Sequence, residues 1–305
     1  MVCAHADNYP DKAVRILVPN TPGSALDVVT RQVANHLAQR WKQPVVVENR
    51  AGAGGIVAAD AVAKSPADGY TLLAGADGPI TIMPSLSVAL PYDPKRDLVP
   101  VASLGETDFL LVANPQTGFK TLDDFVKAAK QRPGKYNYAS AGHGSPQQFA
   151  AELLKQKAGI FVTHIPYRGG PLGLADVVGG QVDVMFIAVG PALPYVRSGR
   201  LVALASGGDS RHALLPTVPT VAETYPGFKA GTWFGLFAPA ATPRQLTDGI
   251  GTEVGRILAD PAVRTTLAAQ GIQATGYAQE RFQTLLGLEA KRYAALVKSA
   301  GIHVE

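Results

Sequence analysis

Ala13-Val14-Arg15-Ile16-Leu17-Val18-Pro19-Asn20-Thr21-Pro22-Gly23-Ser24-Ala25-Leu26-Asp27 is the stretch that sets the fold. Its first half is an apolar run with strand character that stops at Pro19. Pro22-Gly23 is turn chemistry, and Ser24 is a good helix N-cap with Asp27 three positions later. Leu26, Val29, Val33, Leu37 and Trp41 then recur at helical spacing. A strand that turns at once into a helix presents unpaired backbone N–H groups at the positive end of the helix dipole, which is a receptive place for an anion. An ordinary strand-to-helix connection has the same parts, so the functional reading depends on how often the chain repeats them.

It repeats them throughout. Strand patterns at Ala13–Pro19, Pro44–Glu48 and Tyr70–Ala74 alternate with helical patterns at Ser24–Trp41 and Gly55–Lys64. Further on, strands are predicted at Phe109–Ala113, Tyr136–Ala139, Val162–Pro166, Val182–Ile187, Leu201–Ala205 and Trp233–Ala238. Helices are predicted at Leu122–Lys130, Ser145–Lys157, Leu172–Val178, Gln245–Leu258 and Glu280–Ala300. Nearly all-apolar strands separated by helices predict mostly parallel sheets covered on both faces. The expected architecture is α/β with two domains, residues 9–105 plus 230–305 forming the first and 106–229 an inserted second. Two chain crossings would leave a cleft between them, where α/β proteins commonly bind ligands.

With 305 residues, 47% hydrophobic and 17% charged, the chain is globular in composition and long enough for two domains. The net charge of +4 is spread out, with no Lys/Arg run interleaved with aromatics, so nucleic acid is not an expected partner. Gly190, Pro191 and Pro194 interrupt the most apolar segment, Val184–Val196, and argue against a membrane span. Ala4-His5-Ala6 before Asp7 either has the small-x-small form of a secretory cleavage site, with export and cleavage near Ala6-Asp7, or is a tripeptide without meaning. Cys3 is the single cysteine, so a disulfide within the chain is excluded.

Motifs for cofactors and metals are missing. Gly52-Ala53-Gly54-Gly55 follows a strand and opens a helix, but Val57 stands where a dinucleotide fingerprint needs its last glycine, so it reads as a tight turn. Six scattered histidines without paired spacing give no metal site, and no cofactor is expected. Ser140-Ala141-Gly142-His143-Gly144-Ser145-Pro146 is a second anion-receptive loop, with Ser145 as N-cap and Pro146 at the first helical position. Ser145 could instead be the nucleophile of a serine hydrolase partnered by a histidine, although the G-x-S-x-G elbow is not present. Arg168, after Ile165-Pro166-Tyr167, is either a bidentate carboxylate clamp or a solvated rim charge. Asp77 either caps a turn or faces the cleft, where it would attract an ammonium group.

Several blocks resemble one family in order and spacing. N-T-P-G-S-A-L-D, P-V-V-V-E-N-R-A-G-A-G-G, A-D-G-Y-T-L-L, L-P-Y-D-P, N-Y-A-S-A-G-H-G-S, I-P-Y-R-G, G-G-Q-V-D-V-M-F and W-F-G-L-F-A-P-A are similar to the Bug receptors, periplasmic solute-binding proteins of tripartite tricarboxylate transporters. The resemblance implies a two-domain, type II-like binding protein that closes by a hinge over a small carboxylate. It implies that backbone N–H groups and ordered waters at helix starts hold the ligand for a membrane transporter or a signalling partner. A monomer is expected. The corresponding pocket residues are Asn20, Thr21, Pro22, Gly23, Ser24 and Asp27; Gly75, Ala76, Asp77 and Gly78; Ser140, Ala141, Gly142, His143, Gly144 and Ser145; Tyr167, Arg168 and Gly169; and Ile187 and Ala188. Asn20, Leu26, Ala76-Asp77 and Ile187-Ala188 depart from the usual family residues. The shifted charge leaves dicarboxylates, aromatic acids and amino acids all open, with Asp77 as the reason to include an amine.

Overall fold

The computed structural model of the protein describes residues 9–86 and 89–300, with side chains through residue 298. The Ala4-His5-Ala6 and Cys3 readings lie outside the described residues. The opening stretch forms β1 (Val14–Val18) and α1 (Ala25–Trp41), followed by β2 (Val45–Asn49), α2 (Ile56–Ala63), β3 (Thr71–Ala76) and the short α3 (Pro94–Asp97). Next come β4 (Leu98–Ala113), α4 (Leu122–Gln131), β5 (Asn137–Ser140), α5 (Pro146–Ala158), β6 (Thr163–Pro166) and α6 (Gly170–Val178). Then follow β7 (Val184–Ala188), α7 (Val189–Arg197), β8 (Val202–Ser206), β9 (Gly231–Pro239), α8 (Arg244–Ala259), α9 (Pro261–Ala268), β10 (Gln273–Ala274) and α10 (Gln279–Ala300).

The strands run in the order β2-β1-β3-β9-β4-β7-β5-β6, with β8 and β10 also paired to β4. β1 is parallel to β2 and β3, and β5 is parallel to β6 and β7. β9 is antiparallel to β3 and β4, and β4 is antiparallel to β7 and β8. The sheet is therefore mixed as a whole, parallel within each of the two groups and antiparallel where β4 and β9 pair. The strands that carry the chain between the two parallel groups run against them.

β4 links the two groups. Its first part pairs with β9, from Leu98 opposite Pro239 to Asp108 opposite Gly231. Its last part, Phe109–Ala113, lies between β7 and β8. Only that last part was predicted from sequence, because Pro100, Gly105, Glu106 and Asp108 break the apolar pattern upstream. Register shifts between Pro100 and Ala102 and between Ser103 and Gly105 accommodate those residues as bulges.

Each parallel group has its own buried side chains. Val14, Ile16, Val29, Val33 and Leu37 pack β1 under α1, while Leu110, Val112, Met185, Leu174 and Val177 pack β4 and β7 under α6. A smaller cluster joins the groups, bringing Met83 and Leu86 together with Phe149 of α5 and Tyr293 of α10. The rings of Phe149 and Tyr293 meet edge to face at 5.5 Å. α7 was not predicted, since Pro191 and Pro194 argue against a helix there; Pro194 lies inside it. Among the described residues, no helix is long and apolar enough to cross a membrane.

Candidate functional site

A cavity of about 400 Å³ lies where the two parallel groups face each other. The starts of four helices open on it: Ser24-Ala25 of α1, Gly55-Ile56 of α2, Ser145-Pro146-Gln147 of α5 and Gly169-Gly170-Pro171 of α6. Each helix start leaves backbone N–H groups without intrahelical partners and carries partial positive charge. Converging four of them makes one electropositive pocket built mainly of backbone. Phe109, Phe234, Met83, Ile187 and several prolines supply apolar walls. Arg168, exposed at the rim, is the one side chain with a full formal charge among the described residues that line the cavity.

The first wall is the turn read at the outset. Ser24 caps α1, its Oγ accepting from the Asp27 N–H at 3.3 Å. Asp27 faces back into the turn, accepting from Gly23 N–H at 3.0 Å, Asn49 Nδ2 at 2.8 Å and Arg31 Nε at 3.0 Å. Burial pushes its pKa up, but the bonds from Arg31, Asn49 and Gly23 outweigh that and hold the carboxyl below its usual range. Asp27 is thus a brace for the loop rather than a ligand contact. Asn49 completes the brace by donating to the Asn20 carbonyl at 2.9 Å.

The opposite wall is the loop from Ser140 to Ser145. Ser145 caps α5, accepting from Gln148 N–H at 3.4 Å, and the Gln148 side chain returns to accept from Gly144 N–H at 2.7 Å. Ser140 is fully buried; its Oγ accepts from Gly142 N–H at 3.0 Å and lies 2.6 Å from His164 Nε2. His164 stacks on Tyr138, and burial, followed by the neighbouring His143, lowers its pKa to about 4. The serine–histidine contact at this site therefore involves Ser140, enclosed within the loop. Ser145 is occupied in capping, which removes the arrangement that the hydrolase reading required. Among the described residues, no group of three or more His, Cys, Asp or Glu could hold a metal ion.

Of the residues expected from sequence, Asn20, Ser24, Ala76, Gly78, Ala141, Gly142, His143, Ser145, Tyr167, Arg168, Gly169, Ile187 and Ala188 line the cavity. Thr21, Pro22, Gly23, Asp27, Gly75, Asp77, Ser140 and Gly144 stand behind it or beside it. Asp77 departs most from its expected role. Its carboxyl is fully buried, accepting from Thr232 Oγ1 at 2.5 Å and from Tyr293 OH at 3.2 Å. Burial raises its pKa to about 7, with the Thr232 bond opposing and Glu289 reinforcing. Asp77 does not line the cavity that its neighbours Ala76 and Gly78 line, and its carboxyl is taken up by Thr232 and Tyr293, so it is not placed to meet an ammonium group directly.

Sequence reasoning missed the loop Gly52–Ile56, together with Phe109, Gln147, Thr232 and Phe234. The loop does more than turn: Ala53 (φ 46°), Gly54 (φ 61°) and Gly55 (φ 99°) are successive left-handed residues, and a Cβ on Gly54 would stand 2.8 Å from the His143 carbonyl oxygen. That run of glycines lets the two walls approach, a signal present in the sequence but unreadable without the opposing wall.

Comparison with known proteins gives one consistent set of relatives. Residues 29–302 match the tripartite tricarboxylate transporter family receptor. The chain is 36% identical over 298 residues to Protein BugT of Bordetella pertussis, an alignment covering 97% of this chain and 91% of that protein. It is also similar to a solved structure of MatC from Rhodopseudomonas palustris with bound malate, at 33% identity and TM-score 0.90, covering 95% of this chain and 100% of that one. An R. palustris protein solved with adipate is similar at 30% identity and TM-score 0.94, covering 97% of this chain and 99% of that one.

Proposed function

Because the chain belongs to the tripartite tricarboxylate transporter receptor family and has the α/β periplasmic solute-binding fold, a receptor and not an enzyme, we propose that it captures a small carboxylate lacking an amine. Its lobes are residues 9–105 with 230–305, and 106–229, hinged about β4 and β9. The convergence of four helix starts on one cavity carries this reading. A carboxylate meets donors there without needing a buried lysine or arginine, and each charge-assisted bond contributes on the order of 1.5–3 kcal/mol. Arg168 at the rim suits a second carboxylate, favouring diacids over monoacids. Among the described residues, no acidic side chain lines the cavity to offset an ammonium group, which disfavours amino acids. The malate and adipate held by the two R. palustris relatives are diacids without an amine. The captured ligand is delivered to the membrane subunits of a transporter, and the receptor acts in the periplasm as its family does.

The test is a thermal-shift series on protein that has been unfolded and refolded to strip carried-over ligand. Succinate, malate and adipate are compared with succinamide and aspartate. A ligand at 100 times its Kd stabilises by about 2.7 kcal/mol, so a diacid raises Tm clearly. A shift with succinamide equal to that with succinate, or with aspartate alone, contradicts the reading.

A further inference from the structure

Asp77 places a buried carboxyl directly behind one wall of the cavity. Ala76 and Gly78 on either side of it line the cavity, and so does Thr232, whose hydroxyl donates to it. Among the described residues the carboxyl has no ion-pair partner, and the two groups that meet it are neutral hydroxyls, those of Thr232 and of Tyr293 at 3.2 Å. Arg292, the preceding residue of α10, is taken up by Glu289 at 2.7 Å, and Glu289 sets a like charge against Asp77. Thr81, on the segment that follows Asp77, is neutral and donates to the Asp77 backbone carbonyl. Around the groove behind Asp77, β4 adds Glu106 and Asp108, and Lys229 precedes β9. On the cavity side, the basic side chains among the described residues are His143 and Arg168.

A buried carboxylate without a cation is costly, and burial holds the Asp77 carboxyl near the point where its neutral and ionised forms balance at neutral pH. An anion entering the cavity repels the ionised form and leaves the neutral form undisturbed. That repulsion passes through a buried wall, where water and salt screen it less than at the surface. We propose that Asp77 is a positioning residue that acts on the bound acid through the wall of Ala76, Gly78 and Thr232, so that capture of a doubly ionised acid draws a proton onto Asp77. This rests on the carboxylate-receptor reading above. Affinity is then full where Asp77 is neutral and declines as pH rises through about 7.

The experiment is calorimetric titration of the refolded full chain with succinate from pH 6.5 to 9, each pH in two buffers of different ionisation enthalpy so that protons are counted. In the wild type, Kd rises roughly fivefold to tenfold across the range, and binding near pH 7.5 takes up on the order of half a proton per succinate. Asp77→Asn, of the same shape but unable to ionise, removes both the uptake and the decline above pH 7. Thr232→Val serves if that variant does not fold. It deletes the hydroxyl that favours the ionised carboxyl, so the decline moves to higher pH while Asp77 stays in place. His143→Gln, which removes the imidazole at the cavity, leaves the proton uptake near pH 7.5 standing. Succinate binding without proton uptake, uptake that persists in Asp77→Asn, uptake abolished by His143→Gln, or a decline unmoved by Thr232→Val overturns the inference and leaves the receptor reading intact. Binding of neither succinate nor malate nor adipate at any pH overturns both.

Discussion

Gly169 of one wall lies against Thr21 of the other: a Cβ placed on Gly169 would stand 2.6 Å from Thr21 Oγ1 and 2.9 Å from its Cγ2. Gly169 also has φ 141°, in the range that favours glycine. The contact lets the walls meet at the rim of the cavity. Gly169→Ala is therefore expected to hold the cleft ajar and weaken diacid binding by about tenfold or more, equivalent to some 1.4 kcal/mol. Adding Thr21→Ala removes the clash but not the backbone strain, so it recovers only part of the loss. Calorimetry on the single and double variants checks this; equal affinity in Gly169→Ala and wild type would contradict it.

Arg168 is exposed and has no acidic partner among the described residues that line the cavity. Arg168→Ala is expected to reduce succinate affinity several-fold while leaving butyrate affinity nearly unchanged, because only the diacid has a second carboxylate to lose. The deficit should shrink as salt is raised, since exposed charge pairs are screened. Titrations at two ionic strengths read both effects.

Ser145 acts through its cap. Ser145→Ala is expected to cost about 1 kcal/mol of stability, the usual value of a serine N-cap, with diacid affinity changed little. Denaturant unfolding gives the first quantity and calorimetry the second. Labelling of wild-type Ser145 by a serine-reactive phosphonate would show that the hydroxyl does more than cap.

Asp77 makes stability depend on pH in a direction that can be fixed in advance. Its carboxyl is raised from 3.8 to about 7 in the fold, so the folded protein keeps a proton that the unfolded chain has already released. The associated stability is complete below the unfolded pKa and is lost as pH rises through about 7. Asp77→Asn, which cannot ionise, is expected to gain on the wild type between pH 4 and 8, measured as the difference in Cm or Tm. His164 works the other way, because its pKa falls to about 4 and its contribution is lost on acidification below the imidazole range. A constant difference between wild type and Asp77→Asn across that range would show that the carboxyl is not held as described.

The parts of the fold legible in the sequence were the local ones. β1 and α1 could be read because an apolar run, a Pro-Gly turn and the Ser24 cap all lie within a few residues. The Ser140–Ser145 loop was legible for the same reason. The long β4 was not, because Glu106 and Asp108 interrupt its pattern and its partner β9 comes much later in the chain. Asp77 shows the same limit at the site. A carboxylate beside a pocket loop says nothing about which way it turns, and that is set by Thr232 and Tyr293, both distant in sequence. The cavity role of Gly52–Ile56 likewise depends on the approach of His143 from the other wall.

The central claim is capture of an amine-free diacid between the two walls, and direct calorimetric titration of stripped wild-type protein tests it most plainly. Succinate, malate or adipate is expected to bind saturably at one site per chain, with aspartate and succinamide at least tenfold weaker, a gap of about 1.4 kcal/mol. Absence of saturable binding by any of the three diacids, or tighter binding of aspartate than of succinate and malate, would contradict it.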